Sequence, residues 1–223
     1  SFLYGIVQSA LFTLLAVYAT SMNFTILEIS IVTFLLAISG AIAQFPVGKI
    51  SDIYDRRKVI IFSTFGAAIF SIFIIVVSKQ MYLPDGLATS KTWFYIFFIL
   101  FSFCSLPMFS LILAHTNDYI AKEKFVAAGA GLQFIFGLGA ISGPFLCSII
   151  MDFVGSNGFF IFLFFFHSLI GIYGIYRMKI RPTVDNPDSQ FVAMPQTITP
   201  AGIELNPTTE PIEEPIKEDK KSI

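Results

Sequence analysis

Apolar residues dominate six stretches of the chain, at residues 2–20, 29–47, 59–77, 92–114, 125–151 and 158–176, and none of the six contains a Lys or Arg. Each is close to the roughly 20 residues that an α-helix needs to cross about 30 Å of hydrocarbon. Backbone polar groups in lipid must be satisfied within their own segment or in a closed barrel, so long unalternating runs predict helices. The pattern therefore predicts six membrane-spanning helices. The first run lacks a basic start and five more spans follow it, which argues against a cleavable leader. Between the second and third runs stands the densest cluster of charge before Arg177, the segment Gly48–Lys58 with sequence GKISDIYDRRK.

The polar connections orient the bundle. One side carries Lys49, Arg56, Arg57, Lys58, Lys122, Lys124, Arg177, Lys179 and Arg181, and the other carries Lys79 and Lys91. Basic residues are retained on the cytoplasmic side, which places both chain ends and the charged loop there. Trp93 and Tyr95 then fall at the outer boundary of the fourth span, where amphipathic rings are favoured. Pro84, Asp85 and Gly86 mark a turn in the outer connection.

Composition agrees with this class: 55% of the 223 residues are hydrophobic, 27 are Phe and only 13% are charged, with a mean hydropathy of +0.77. A net charge of -1 gives no basis for binding nucleic acid. Cys104 and Cys147 lie inside apolar runs and read as small packing residues, with no disulfide framework implied. After Arg181 the chain turns to Pro, Thr, Glu and Asp, with eight acidic residues against three Lys. Residues 182–223 are accordingly expected to form a disordered cytoplasmic tail.

Polar residues within the runs are the candidates for function. In the first span Tyr4, Gln8, Leu15 and Tyr18 follow one helical stripe, and Ser9, Thr13, Ala16 and Thr20 another. Pro107 removes a backbone donor from the fourth span and predicts a kink. Gly139, Gly143 and Pro144 give the fifth span a GxxxG pair and a second candidate hinge, suited to close helix approach. Gln8, Thr13, Tyr18, Ser102, Ser105 and Gln133 form a candidate substrate lining that is polar and uncharged, which favours a neutral or amphipathic small molecule. No Asp or Glu lies in the middle of a span, which leaves His115, Asp118 and His167 as the groups that could handle a coupling proton. The chain has no metal-binding pair of the HExxH kind and no phosphate loop, and it implies no cofactor. Ser142 and His167 are superficially reminiscent of an intramembrane serine protease, but Ala140 stands where that arrangement needs glycine. No enzyme is expected.

Six spans divide into two sets of three, as in transporters built from inverted repeats. The loop GKISDIYDRR resembles the signature between the second and third helices of the major facilitator superfamily (MFS). Gly48, Ile50, Ser51, Asp52, Tyr54, Arg56 and Arg57 fit it, while Ile53 and Asp55 stand where a basic residue and a glycine are usual. With the SLPMFSLILAHTND segment and the GLGAISGP helix, the chain is similar to the C-terminal half of a twelve-helix bacterial permease from a poorly characterised subgroup.

The resemblance implies an all-α integral membrane protein of the bacterial inner membrane, with residues 1–181 as a 3+3 inverted repeat. It also implies secondary active transport of a small molecule by alternating access, with or without a coupling ion, and with an N-terminal six-helix half or a second copy as partner in the lipid bilayer. Gly48, Asp52, Arg56, Arg57 and Asp118 would form a conformational switch. Asp52 would face the start of the fifth helix near Phe125, and Arg56 or Arg57 would meet Asp118. A non-transporting or truncated, inactive membrane protein is the alternative.

Overall fold

The computed structural model describes residues 1–80, 87–180 and 191–194. The helices are α1 (Phe2–Ser21), α2 (Ile26–Ile53), α3 (Arg56–Gln80), α4 (Leu87–Ser105), α5 (Met108–Asn117), α6 (Phe125–Val154) and α7 (Gly158–Ile180), with a 3₁₀ turn at Lys122–Lys124. α4 and α5 are two parts of the fourth span, and among the described residues six segments are long and apolar enough to cross a membrane. The molecule is an all-helical, multi-pass integral membrane bundle. The turn read at Pro84–Gly86 and most of the tail lie outside the described residues.

The helices outrun the apolar stretches that predict them. α2 continues through Lys49 and Asp52 to Ile53, and α3 begins at Arg56. Charged residues at a span's end reach the interface and keep their helical backbone bonds, so hydropathy marks only the middle of each helix. α2 starts with a capping box, in which Thr25 Oγ1 accepts from the Glu28 amide and Glu28 accepts from the Thr25 amide. Glu28 also holds Lys91 Nζ of α4 at 2.5 Å. Lys91 lies 5.2 Å from the centroid of the Phe24 ring.

Helix pairing follows the repeat. α1 packs chiefly on α6, α2 on α4, and α3 on both α4 and α7. Exchanging the first three spans for the last three carries the α1–α6 contact onto α4–α2, carries α3–α4 onto α7–α1, and leaves α3–α7 in place. An odd number of spans per repeat inverts the second set across the membrane, as a 3+3 inverted repeat requires.

Two features hold the core. Phe94, Phe98 and Phe101 line one face of α4, fully buried against Phe160 of α7, which meets all three edge-on at 6.0–6.4 Å. Tyr18 of α1 stacks on Phe159 at 5.2 Å. Edge-to-face and offset contacts of this kind add about 0.5–1.5 kcal/mol per pair beyond area burial.

The second feature is the crossing of α1 on α6, where backbones touch. A Cβ at Gly139 would run into the Phe2 carbonyl, one at Gly143 into the Ile6 carbonyl and Ser9 Oγ, and one at Gly5 into the Phe136 carbonyl. Gly139 and Gly143 thus close-pack α6 on α1, and α6 passes through Pro144 as one helix.

α2 and α6 are the least buried spans, at 28% and 22% against 56% for α1. Phe34, Ile38, Ile42 and Phe45 on α2, with Phe134, Leu138, Ile141 and Phe145 on α6, are exposed. Those faces meet lipid or another helical unit.

Candidate functional site

Arg56 is the organising residue of the charged end. It opens α3 and is only 6% exposed, which a guanidinium sustains only when its donors are met. Nη1 donates to Asp118 Oδ1 at 2.7 Å and to the Ala114 carbonyl at 2.9 Å. Nη2 donates to Asp52 Oδ1 at 2.8 Å. One cation therefore ties the end of α2 to the end of α5.

Each partner has a local reason to need it. Asp118 is the C-cap of α5, where the negative end of the helix dipole disfavours a carboxylate by about 0.3–1 kcal/mol. Ala114 supplies a carbonyl from the last turn, of the kind that arginine side chains commonly satisfy. Asp52, in the last turn of α2, faces Arg56 at i,i+4 spacing. His115 Nδ1 lies 3.8 Å from Asp118 Oδ2 on the same face.

Arg57 takes a separate path. It pairs with Asp55, Nη2 to Oδ2 at 2.8 Å, and the Arg57 amide also donates to Asp55 Oδ1 at 3.0 Å. Asp55 thus stands as an N-terminal cap on α3 at the position where the family loop carries glycine. The hydrogen bond from Arg57 holds its carboxyl below the usual carboxylate range.

Of the two basic candidates for Asp118, then, Arg56 meets it, while Arg57 pairs with Asp55. The Asp52 carboxylate bonds to Arg56 and to the backbone amide of Phe191 at 2.8 Å, partners other than the start of α6 at Phe125. Gly48 is buried on α2, and a Cβ there would enter the Phe191 ring. Beside this contact lies an open cavity of about 540 Å³ lined by Ala41, Gln44, Lys49, Asp52 and Ala193 among others.

The tail departs from expectation at its four described residues. Phe191–Met194 lies against the bundle with Met194 only 6% exposed. Two apolar side chains three apart supply the burial, and Asp52 and Ser110 satisfy backbone polar groups. Tail composition averages over these residues and hides them.

The fourth span is broken at Pro107, between α4 and α5. Pro107 has no N–H, and the last carbonyls of α4 need other donors. Tyr4 of α1 supplies one, its hydroxyl donating to the carbonyls of Ser105 at 3.0 Å and Leu106 at 3.3 Å. His167 of α7, fully buried, holds the same spot from the other side. The Leu163 carbonyl, 2.8 Å from Nδ1, can only accept, so Nδ1 carries the proton. In the neutral ring the Ser105 hydroxyl donates to Nε2 at 2.9 Å.

The six candidate lining residues are not gathered in one place. Tyr18 is fully buried with its hydroxyl 2.7 Å from Ser78 Oγ. Ser102 donates to the Phe98 carbonyl at 2.7 Å, and Ser105 is engaged by His167. These three sit inside helix packing. On α1 the stripe of Tyr4, Gln8, Leu15 and Tyr18 is buried, whereas Thr13, Ala16 and Thr20 are exposed. Gln133 of α6 is half-buried, and its Oε1 is enclosed without a hydrogen-bond partner among the described residues.

Comparison with known proteins agrees with the bundle. The Major Facilitator Superfamily profile matches residues 1–214. The uncharacterized MFS-type transporter YE1530 of Yersinia enterocolitica is 23% identical over 190 residues, which cover 85% of this chain and 44% of that protein. A counterpart in Yersinia pestis (strain Pestoides F) is 21% identical over the same coverage. The uncharacterized MFS-type transporter YfkF of Bacillus subtilis (strain 168) is 27% identical over 144 residues, 65% of this chain and 34% of that protein. The chain thus spans less than half the length of these curated relatives. No solved structure matches significantly. With a profile match across nearly the whole length and six spans paired as a 3+3 repeat, the chain belongs to the Major Facilitator Superfamily of membrane transporters.

Proposed function

We propose that the chain is one six-helix half of a secondary active transporter. It works by alternating access against a second six-helix unit, either an N-terminal half or another copy of itself. The observation that carries this reading is the buried Arg56, shared between Asp52 of α2, Asp118 of α5 and the Ala114 carbonyl. Such an array serves as a latch at the charged end of the bundle. Nine basic residues against two support a cytoplasmic position for that end and both termini, in the inner membrane of a bacterium like those that hold the relatives.

A latch suits a two-state cycle because of its size. Interactions of a few kcal/mol shift the balance between inward- and outward-facing states without freezing it. The second unit approaches the exposed faces of α2 and α6 and the hydroxyl stripe of α1. Thr13 on that stripe and Gln133 on α6 are the lining residues retained, with Gln8 behind them. An uncharged lining favours neutral or amphipathic small molecules. The neutral, doubly bonded His167 reads as a brace for the broken fourth span, which leaves His115, beside Asp118, as the nearer candidate for a coupling proton.

The test is reconstitution of the chain with all coding sequence contiguous with it. Proteoliposomes are screened with a panel of neutral and amphipathic solutes under an imposed proton gradient. Asp52→Asn and Arg56→Ala should each lower the transport rate by roughly tenfold, equivalent to about 1.4 kcal/mol, with membrane insertion unchanged. Normal rates in both variants would remove the latch. Absence of any flux would remove the transporter reading.

A further inference from the structure

The cavity beside Gly48 and Asp52 is partly closed by the chain's own segment Phe191–Met194. This segment meets the bundle at three points. The Phe191 amide donates to Asp52 Oδ1 at 2.8 Å. The Phe191 ring lies against Gly48, where any Cβ would displace it. Ser110 of α5 then takes both polar groups of Met194, donating to its carbonyl at 3.1 Å and accepting from its amide at 3.2 Å.

The contact is specific in two ways. Ser110 is 2% exposed and Met194 6% exposed, so the far anchor is buried, and both of its backbone groups are satisfied by a side chain. The near anchor uses Asp52 Oδ1, the same oxygen that accepts from Arg56. The segment thus bridges α2 and α5, the two elements that Arg56 also joins, and shares an acceptor with it.

We propose that Phe191–Met194 is a cis-acting brake on the latch, an inference that rests on the transporter reading above. While docked, it lends Asp52 a second donor and adds a link from α2 to α5, so the closed arrangement of this end is favoured. It also covers the Gly48 side of α2, part of the face available to a second helical unit. Release of the segment leaves Asp52 with Arg56 alone and uncovers that face.

Docking and braking are tested separately on the chain with all its contiguous coding sequence, in lipid nanodiscs and in proteoliposomes. Hydrogen–deuterium exchange followed residue by residue should find the Phe191 and Met194 amides protected. Protection at both should fall about tenfold or more in Phe191→Ala/Met194→Ala, as expected when the docked state is destabilised and local opening becomes easier. Ser110→Ala should lose protection at Met194. The double variant should move solute about two- to fivefold faster than the parent, a modest population shift. Bridging Gln44→Cys and Ala193→Cys, two residues that line the same cavity, with a reducible bifunctional thiol reagent should slow transport until the bridge is cut. Unprotected amides in the parent overturn the strap. Protected amides with transport unchanged by release overturn the brake. A parent that moves nothing removes the transporter reading and the brake with it, while the exchange data still decide whether the segment docks.

Discussion

The Tyr4 hydroxyl of the first span donates to the Ser105 carbonyl at the broken end of the fourth, at 3.0 Å. Under the repeat these two spans are equivalents, so one mends the interruption in its counterpart. Tyr4→Phe should cost about 1 kcal/mol, at the upper part of what buried hydrogen bonds contribute between membrane helices. Pro107→Ala lets the helix run through the break, so that the Ser105 and Leu106 carbonyls can accept from amides four residues on, and should reduce that cost. Unfolding in detergent titrations of the four-member cycle measures both, and equal costs in the two backgrounds would show that the hydroxyl is not serving the proline break.

Arg56 and Asp118 should be strongly coupled. Arg56→Ala leaves Asp118 facing a helix C-terminus without its cation, and residues in one ion-pair network couple by about 0.5–3 kcal/mol. Arg56→Ala/Asp118→Asn should therefore be less destabilised than the sum of its single changes. Arg57→Ala/Asp118→Asn should be additive, because Arg57 pairs with Asp55. The same unfolding assay decides, and additivity in the Arg56 pair contradicts the assignment.

Four glycines on α6 divide into two kinds. Gly139→Ala and Gly143→Ala push a methyl into α1 backbone carbonyls and should destabilise by about 1–3 kcal/mol, as overpacked sites do. Gly131→Ala and Gly137→Ala meet nothing within 4 Å and should be neutral or gain up to about 1 kcal/mol from helix propensity. Thermal shift on the four variants separates the classes.

Asp55 sets an acid limit on the α2–α3 turn. Its carboxyl is held below the normal range by the hydrogen bond from Arg57, so the folded form has the lower pKa. The stabilisation is complete above the unfolded value of about 3.9 and is lost as pH falls through the folded one. Unfolding midpoints measured down through that window should fall more steeply in the parent than in Asp55→Asn. Parallel curves would exclude the pair as a source of acid sensitivity.

All six spans were legible because apolar runs near 20 residues leave little alternative in lipid. The ends were less so: Lys49, Asp52 and Arg56 are helical, and hydropathy stops where charge begins. The Arg56–Asp118 contact could be anticipated from a carboxylate at a helix C-terminus that needs a cation, though the choice between Arg56 and Arg57 depended on where α3 starts.

Tyr18, Ser102 and Ser105 show the limit of spacing arguments. A polar side chain in a span must find a partner, and sequence does not say whether that partner is water in a cavity or Ser78, a carbonyl or His167. The hydroxyl stripe through Thr13 and Thr20 was visible as a stripe, but its outward direction follows only from the crossing of α1 on α6. Phe191 and Met194 carried no signal above the polar composition around them.

That crossing also bears on how the protein is made. α1 enters the membrane well before its main neighbour α6, whose contacting glycines lie more than a hundred positions later. At synthesis rates of about 5–20 residues per second, the face of α1 that receives Gly139 and Gly143 waits several seconds for α6. A ribosome halted before Gly143 strands α1 with its seat incomplete and leaves this face open to the quality-control proteases that survey unassembled helices.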